Sequence, residues 1–223
     1  MKARPMKRLA LLGASGHGKV VADSALAAGW STVHFFDDAW PGVEVNGAWP
    51  VAGGTAELLA RLPEFDGVLV SIGDAAIRLR KHLALLQAGA RMISVVHPRA
   101  WVSPHAGLGL GSVVMPGAVI NADAILGQAC IVNTGASVDH DCRLADAVHA
   151  SPGAHLSGDV HVGEGSWIGV GASVRQGVRI GAGVMVGAGA VVVKAVPDGL
   201  TVVGCPAAPL PAIRSARGGL QVF

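Results

Sequence analysis

From Val102 onward every sixth residue of this chain is aliphatic: Leu108, Val114, Ile120, Leu126, Val132, Val138, Leu144, Ala150, Leu156, Val162, Ile168, Val174, Ile180, Val186 and Val192. With 51% of the chain apolar, chance gives such a run in about one of 50,000 trials per register, so the period belongs to the fold. Four residues after each of these positions, a second column holds only Ala, Ser, Cys or Val, from Ala106 to Val196. The small residue and the next aliphatic one are two apart, so both face the same side of a short strand. The residue between them faces outward and the other three turn the chain. Turn formers follow the aliphatic position at Gly109, Asn121, Gly127, Asn133, Gly163, Gly169, Gly181 and Gly187. Three such units close a triangular coil, and sixteen of them predict about five stacked coils of parallel β-helix. Cys130 and Cys142 fall in the small inward column, which assigns them to packing. The period does not encode handedness.

Before residue 97 the pattern is different. Strand-like runs at 8–12, 32–36, 67–72 and 91–96 alternate with helix-like segments at 19–28, 55–62 and 75–88. That alternation predicts a small parallel α/β unit, an abbreviated Rossmann-like domain short of the six strands of a full dinucleotide fold. The expected organisation is α/β over 1–97, β-helix over 98–197 and a tail over 198–223. Only 14% of the residues are charged, the net charge is +2 and no basic stripe occurs, so the nucleic-acid footprint is missing. No run approaches the roughly 18 apolar residues of a spanning helix, which argues against membrane insertion. The basic start Met1 to Lys7 resembles a signal peptide only superficially, because Gly13 ends the following apolar run. Three cysteines, without metal-like spacing and odd in number, predict reduced thiols in a cytoplasmic protein.

One six-residue unit departs from its neighbours: Val138-Asp139-His140-Asp141-Cys142-Arg143 carries three ionisable side chains in its turn. An imidazole beside a carboxylate is the arrangement a general base needs. A solvated polar corner accounts equally well for these residues taken alone. His149, His155 and His161 are six apart and so lie on different faces of the triangle, which predicts no metal site. Outward positions form no repeating Thr ladder; they include Ile131, Arg143, His149, His155, His161 and Trp167, an irregular face better suited to a binding site than to a lattice. The turn Gly13-Ala14-Ser15-Gly16-His17-Gly18 joins a strand to a helix and offers backbone N–H groups to an anion. It lacks the G-x-G-x-x-G spacing, so ligand loop and structural turn both remain open.

Together, Gly13-Ala14-Ser15-Gly16-His17-Gly18-Lys19, the six-residue repeats and Asp139-His140-Asp141-Cys142 resemble the bacterial nucleotide-sugar N-acetyltransferase family. The likeness runs from Lys7 to about Leu210 and includes enzymes of bacillosamine and perosamine synthesis and sialic-acid O-acetyltransferase relatives. It implies a left-handed β-helix, acetyl-CoA as co-substrate, a nucleotide-linked amino sugar as acceptor and a homotrimer. His140 would be the general base and Asp141, standing where the bacillosamine enzyme has Glu, would raise its basicity. His149, Gly158, Val170 and Ala188 would meet acetyl-CoA, the last three through the main chain. Ser15, Gly16 and His17 would meet the diphosphate, Asp37 and Asp38 the nucleoside, and Gly73 would complete the pocket at the strand ends. The acceptor expected from the resemblance is a 4-amino-4,6-dideoxyhexose, such as GDP-perosamine or a UDP-bacillosamine precursor, used in O-antigen or other glycan synthesis. Alternatives are sugar O-acetylation of the sialic-acid type and a non-catalytic nucleotide-sugar-binding scaffold. A third, an NAD-dependent Rossmann enzyme, is disfavoured by the abbreviated α/β unit.

Overall fold

A computed structural model describes residues 6–210; part of the expected tail, 211–223, lies outside the described residues. The first half comprises β1 (Arg8–Leu12), α1 (Gly16–Ala27), β2 (Thr32–Phe36), a short antiparallel pair β3 (Val45–Asn46) and β4 (Trp49–Pro50), α2 (Thr55–Ala60), β5 (Gly67–Val70) and α3 (Ala75–Gln87). The strands β2-β1-β5 form one parallel sheet in that order. Both faces of the sheet are covered, which is why its strands are nearly continuous apolar runs. Leu9, Leu11, Phe35 and Leu69 pack on Val21, Ala22 and Ala25 of α1, whereas Ala10, Leu12, Phe36 and Val70 pack on Leu58 of α2 and Leu85 of α3.

The strand expected over 91–96 divides. Met92 makes a single bridge to Val68, while Val95–Val96 pairs in parallel with Val113–Val114 and so forms the first rung of the solenoid. From there the chain winds through three parallel sheets. The first face starts with Val95–Val96 and climbs through His149–Ala150 and Trp167–Ile168 to Thr201–Val203, where Ala208–Pro209 adds on antiparallel. The second face runs from Trp101–Val102 to Val191–Val192, and the third from Gly107–Leu108 to Arg179–Ile180. The extra rungs at both ends make about six turns where sixteen units alone predict five. Every inward position from Val114 to Val192 is buried, in a core that also takes in Cys130 and Cys142.

The repeat contains a third column that the hydrophobic pattern does not reveal. Every sixth residue from Gly111 to Gly189 has positive φ, and five of these are not glycine: Asp123, Ala129, Asp141, Ala147 and Asp159. At every corner from Gly111 to Gly171 the preceding carbonyl accepts from the next coil, as His140 does from the Asp159 N–H (2.9 Å). The carbonyl of the positive-φ residue itself receives no backbone donor among the described residues. Each corner therefore leaves one carbonyl pointing out of the ladder, a polar group that something else must satisfy.

The two halves meet along the first face and its junction with the third. Val95, Val113, Met115 and Ile131 join the core of the α1 side, and the Ser24 hydroxyl lies 3.4 Å from the Met115 sulfur. Helix α3 runs down the third–first corner, with Ala75 beside Gly165, Arg78 at Ala147 and Ala129, and His82 at Gln128 and Gly111. Its buried stripe is Arg78, His82 and Leu85, while Leu83 and Leu86 are exposed. An apolar stripe fails here because the surface it would cover is a row of unsatisfied turn groups, which call for donors.

Candidate active site

His140 and Asp141 occupy the corner between the second and third faces. Asp139 organises that turn: one carboxylate oxygen accepts from the His140 N–H and from the Asn121 amide, both at 2.8 Å. Asp141 then enters the left-handed region at φ 61°, a conformation aspartate tolerates better than most residues. The reversal brings the two neighbouring side chains together, with His140 Nδ1 2.8 Å from Asp141 Oδ2. The carboxylate accepts, so Nδ1 carries the proton and Nε2 is left as the basic nitrogen. Hydrogen bonding to Asp141, helped by the charges of Asp139 and Asp159, raises the imidazole pKa above its ordinary value. Both side chains are well exposed, at 63% and 55%.

Gly158 lies one coil above, directly against this ring. A Cβ there would stand 2.4 Å from His140 Cε1 and 2.5 Å from Nε2, so only glycine leaves the imidazole in place. Its N–H has no acceptor among the described residues. The corner thus sets a basic nitrogen beside an unspent backbone donor, the pair that acyl transfer uses to activate a nucleophile and hold a carbonyl oxygen.

His149 sits elsewhere. It faces outward from the first face but is 4% exposed, packed against Trp167 with ring centroids 4.1 Å apart and the planes tilted by 50°, and 6.3 Å from the His17 ring. The Asn133 carbonyl accepts from the Thr134 N–H, so its amide nitrogen is the group facing His149 Nε2 at 3.1 Å. His149 therefore carries its proton on Nδ1, which is buried without a partner, as is Nε2 of His17. Burial, with the nearby Arg78 charge, pushes the pKa of His149 down to about 3 and that of His17 to about 4. Val170 and Ala188 stack one coil apart at the first–second corner, with the Gly189 N–H donating to the Val170 carbonyl at 2.8 Å.

The remaining residues surround the strand ends of the α/β half. Ser15 precedes α1, and the N–H groups of Gly16, His17 and Gly18 in its first turn find no acceptor among the described residues. Helix geometry aims them out of the loop. Gly13, at φ 119°, lets the loop pass against Ser71 and Ile72, and the Ser71 hydroxyl donates to its carbonyl at 2.8 Å. Asp37 is spent on the loop, accepting from the Ala14 N–H at 2.7 Å and the Ala39 N–H at 2.9 Å. Asp38 accepts from Thr55 and from Lys81 Nζ (2.6 Å), which hold its pKa down at about 2. Both aspartates thus have structural partners. Gly73 offers open space above its Cα, and its carbonyl accepts from Arg78.

Two groups emerge. Ser15 to His17, Gly73 and His149 gather where the α/β half meets the first face, with Val170 and Ala188 at that face's edge. His140, Asp141 and Gly158 stand at the opposite corner, across the whole second face. Arg78, Asn133 and Asn121 were missed from sequence, because one Arg on a helix and isolated Asn residues in turns carry no periodic signal. Among the described residues, no group of three or more His, Cys, Asp or Glu side chains is arranged to hold a metal ion.

Residues 8–84 match the family model described as the PglD N-terminal domain, and residues 159–194 match the bacterial transferase hexapeptide model of six repeats. The acetyltransferase domain of PglB from Neisseria gonorrhoeae FA1090 is 46% identical, covering 92% of this chain and 100% of that one at a TM-score of 0.87. PerB from Caulobacter crescentus, solved with CoA and GDP-perosamine, is 40% identical, covering 91% and 96% at 0.86. The chain belongs to the bacterial nucleotide-sugar N-acetyltransferase family. WeeI from Acinetobacter baumannii AYE is also similar, at 29% identity and a TM-score of 0.83 over 92% of this chain and 100% of that one. No curated protein sequence matches. Within this family the β-helix is left-handed, which supplies the handedness that the period leaves open.

Proposed function

We propose that this protein transfers the acetyl group of acetyl-CoA to the amine of a nucleotide-linked amino sugar, with His140 as general base. The observation that carries this reading is the pairing of His140, held by Asp141 at 2.8 Å, with the unspent N–H and missing side chain of Gly158. His140 Nε2 removes a proton from the attacking nitrogen as the new C–N bond forms. Asp141 stabilises the resulting imidazolium. The Gly158 N–H receives the thioester oxygen as it becomes negative. The C–S bond then breaks, and the proton returns to the leaving thiolate. No acyl-enzyme is needed, and both Cys130 and Cys142 are buried core residues with raised pKa values.

The acceptor class draws on the solved relative that holds GDP-perosamine, and acetyl-CoA on the PglB domain solved with it. A 4-amino-4,6-dideoxyhexose on GDP or UDP fits, in a glycan or O-antigen pathway. The diphosphate meets the free N–H groups at Gly16 and His17 beside Ser15; the nucleoside lies toward Asp37 and Asp38, by backbone contact since both carboxylates are occupied; Gly73 closes the pocket. Acetyl-CoA lies along His149, Val170 and Ala188. One chain sets these residues and His140 on opposite sides of the prism, so a complete site needs the His140 corner of a second copy. That supports a homotrimer with three shared clefts. No helix among the described residues is long and apolar enough to cross a membrane; these substrates and three unpaired thiols favour the cytoplasm.

The test is thiol release from acetyl-CoA against UDP-, GDP- and dTDP-linked amino sugars. At least one should be acetylated on nitrogen, and His140→Asn should lower kcat by about 10²–10⁴-fold with the melting temperature unchanged. Unchanged turnover in that variant, or activity on free sugars alone, overturns the reading.

A further inference from the structure

Among the described residues Arg78 is one of the most buried side chains, at 1% exposure, and no carboxylate among them forms an ion pair with it. Its guanidinium donates to four carbonyls: Nε to Ala129 (2.8 Å), Nη1 to Ile72 (3.0 Å) and Gly73 (2.6 Å), and Nη2 to Ala147 (2.7 Å). Ala129 and Ala147 are positive-φ residues on successive coils, so Arg78 takes up two of the outward carbonyls that the corners leave over. Ile72 and Gly73 form the exit of β5. One side chain thus fixes a wall of the acceptor pocket to the solenoid.

The nearest carboxylate in sequence, Asp74, is turned to the Ile77 N–H at 2.8 Å as the cap of α3. Carbonyl dipoles satisfy the hydrogen bonds of a buried cation but do not cancel its charge, and an unopposed buried charge is costly. A carboxylate partner, or an apolar side chain with no charge at all, would close the interface more cheaply. The charge is also felt locally, since it disfavours the protonated forms of both His17 and His149. The free N–H groups that open α1 lie on the same side, so the pocket gathers positive potential from two elements, offset in part by the charges of Asp74 near Arg78 and of Asp37 at the Ala14 N–H, neither of which forms an ion pair with the guanidinium.

We propose that Arg78 is a positioning residue whose charge is balanced by the acceptor itself, the diphosphate of the nucleotide sugar supplying the counter-charge that the protein withholds. This rests on the nucleotide-sugar reading above. It separates two roles in one side chain, a clasp made by geometry and a preference for anions made by charge.

Titrating GDP against guanosine and UDP against uridine tests it on the full-length protein. The wild type should bind one diphosphate more tightly than its nucleoside. Arg78→Met should reduce that advantage by roughly tenfold or more, while Arg78→Lys should keep it within about threefold, as expected for loss or retention of one nearby charge. Both variants lose the fork of carbonyl bonds, so both should melt earlier. If Arg78→Met does not fold, Arg78→Gln, neutral but still a donor, replaces it with the same expectation. A neutral variant that keeps the wild-type diphosphate advantage shows a clasp only and overturns the proposal. A wild type that prefers neither diphosphate overturns the nucleotide-sugar reading instead.

Discussion

Two corners of one solenoid are built from the same turn and end in opposite states. At the third–first corner, Gly111, Ala129 and Ala147 are covered by α3: the spare carbonyls of Ala129 and Ala147 accept from buried Arg78, and Gly111 lies against the buried His82 ring. At the second–third corner no element among the described residues packs over His140 and Asp141, whose side chains are 63% and 55% exposed. The backbone does not distinguish them: both have a positive-φ residue, a spare carbonyl and stacked coils. What differs is the cover. A repeat supplies the same unspent groups at every coil; they become structure where an element packs over them and chemistry where access is left open.

If that contrast is right, equivalent substitutions at the two corners should fail in different ways. The largest effect after removal of His140 itself belongs to Gly158→Ala, which should displace the ring and lower kcat by about 10–100-fold with little change in melting temperature. Its counterpart Gly111→Ala meets His82 Nδ1 at 2.3 Å and sits at φ 74°, so it should cost about 1–3 kcal/mol of stability. Thermal melting alongside steady-state kinetics reads both, and a swap of the two outcomes would dissolve the distinction. Asp141→Asn keeps the turn but loses the carboxylate. It should lower kcat/KM by about tenfold, and the rising limb of the pH–rate profile should move to lower pH because Asp141 holds the His140 pKa up. A profile that stays in place would remove Asp141 from the mechanism.

The most gradual effect concerns the covered side. His17 and His149 are neutral in the folded protein, with pKa values near 4 and 3 against an ordinary 6.5. The unfolded chain binds more protons below that ordinary value, so stability is full above it and declines as pH falls toward the folded pKa values. Each ring should contribute about 2 kcal/mol of loss between pH 6.5 and 4.5. His149→Gln should roughly halve the slope of denaturant stability against pH. An unaltered slope would mean that His149 is not held neutral by its surroundings.

Much of this was legible in the sequence, for a physical reason. The two inward columns are dictated by packing, which acts on every coil and so writes itself sixteen times. His140 and Asp141 were legible because they interrupt a turn otherwise made of small residues. The positive-φ column was harder to see, since Asp and Ala stand in for glycine at five of its positions. Arg78 and His82 were illegible. They break the amphipathic rule for α3, burying two polar residues while Leu83 and Leu86 face water, because the helix packs on a polar corner rather than an apolar sheet. The Gly-rich loop is ambiguous alone, and the pairing of Asp37 with the Ala14 N–H gives a structural partner to an aspartate that the resemblance places toward the nucleoside.

Helix α3 and the solenoid it lies on are matched by the reach of side chains rather than by a common pitch. From Ala75 to His82 the helix rises about 10.5 Å, while the coils of Gly165, Ala147, Ala129 and Gly111, which Ala75, Arg78 and His82 address in descending order, span about 14 Å. The helix falls short by about 4 Å, and long side chains make up the difference, Arg78 alone reaching two successive coils. Coils can therefore be added above Gly165 without disturbing α3, whereas an eighteen-residue insertion between Gly111 and Gly165 would throw every contact of the helix out of step. Relatives of different length should have grown at the C-terminal end of the prism.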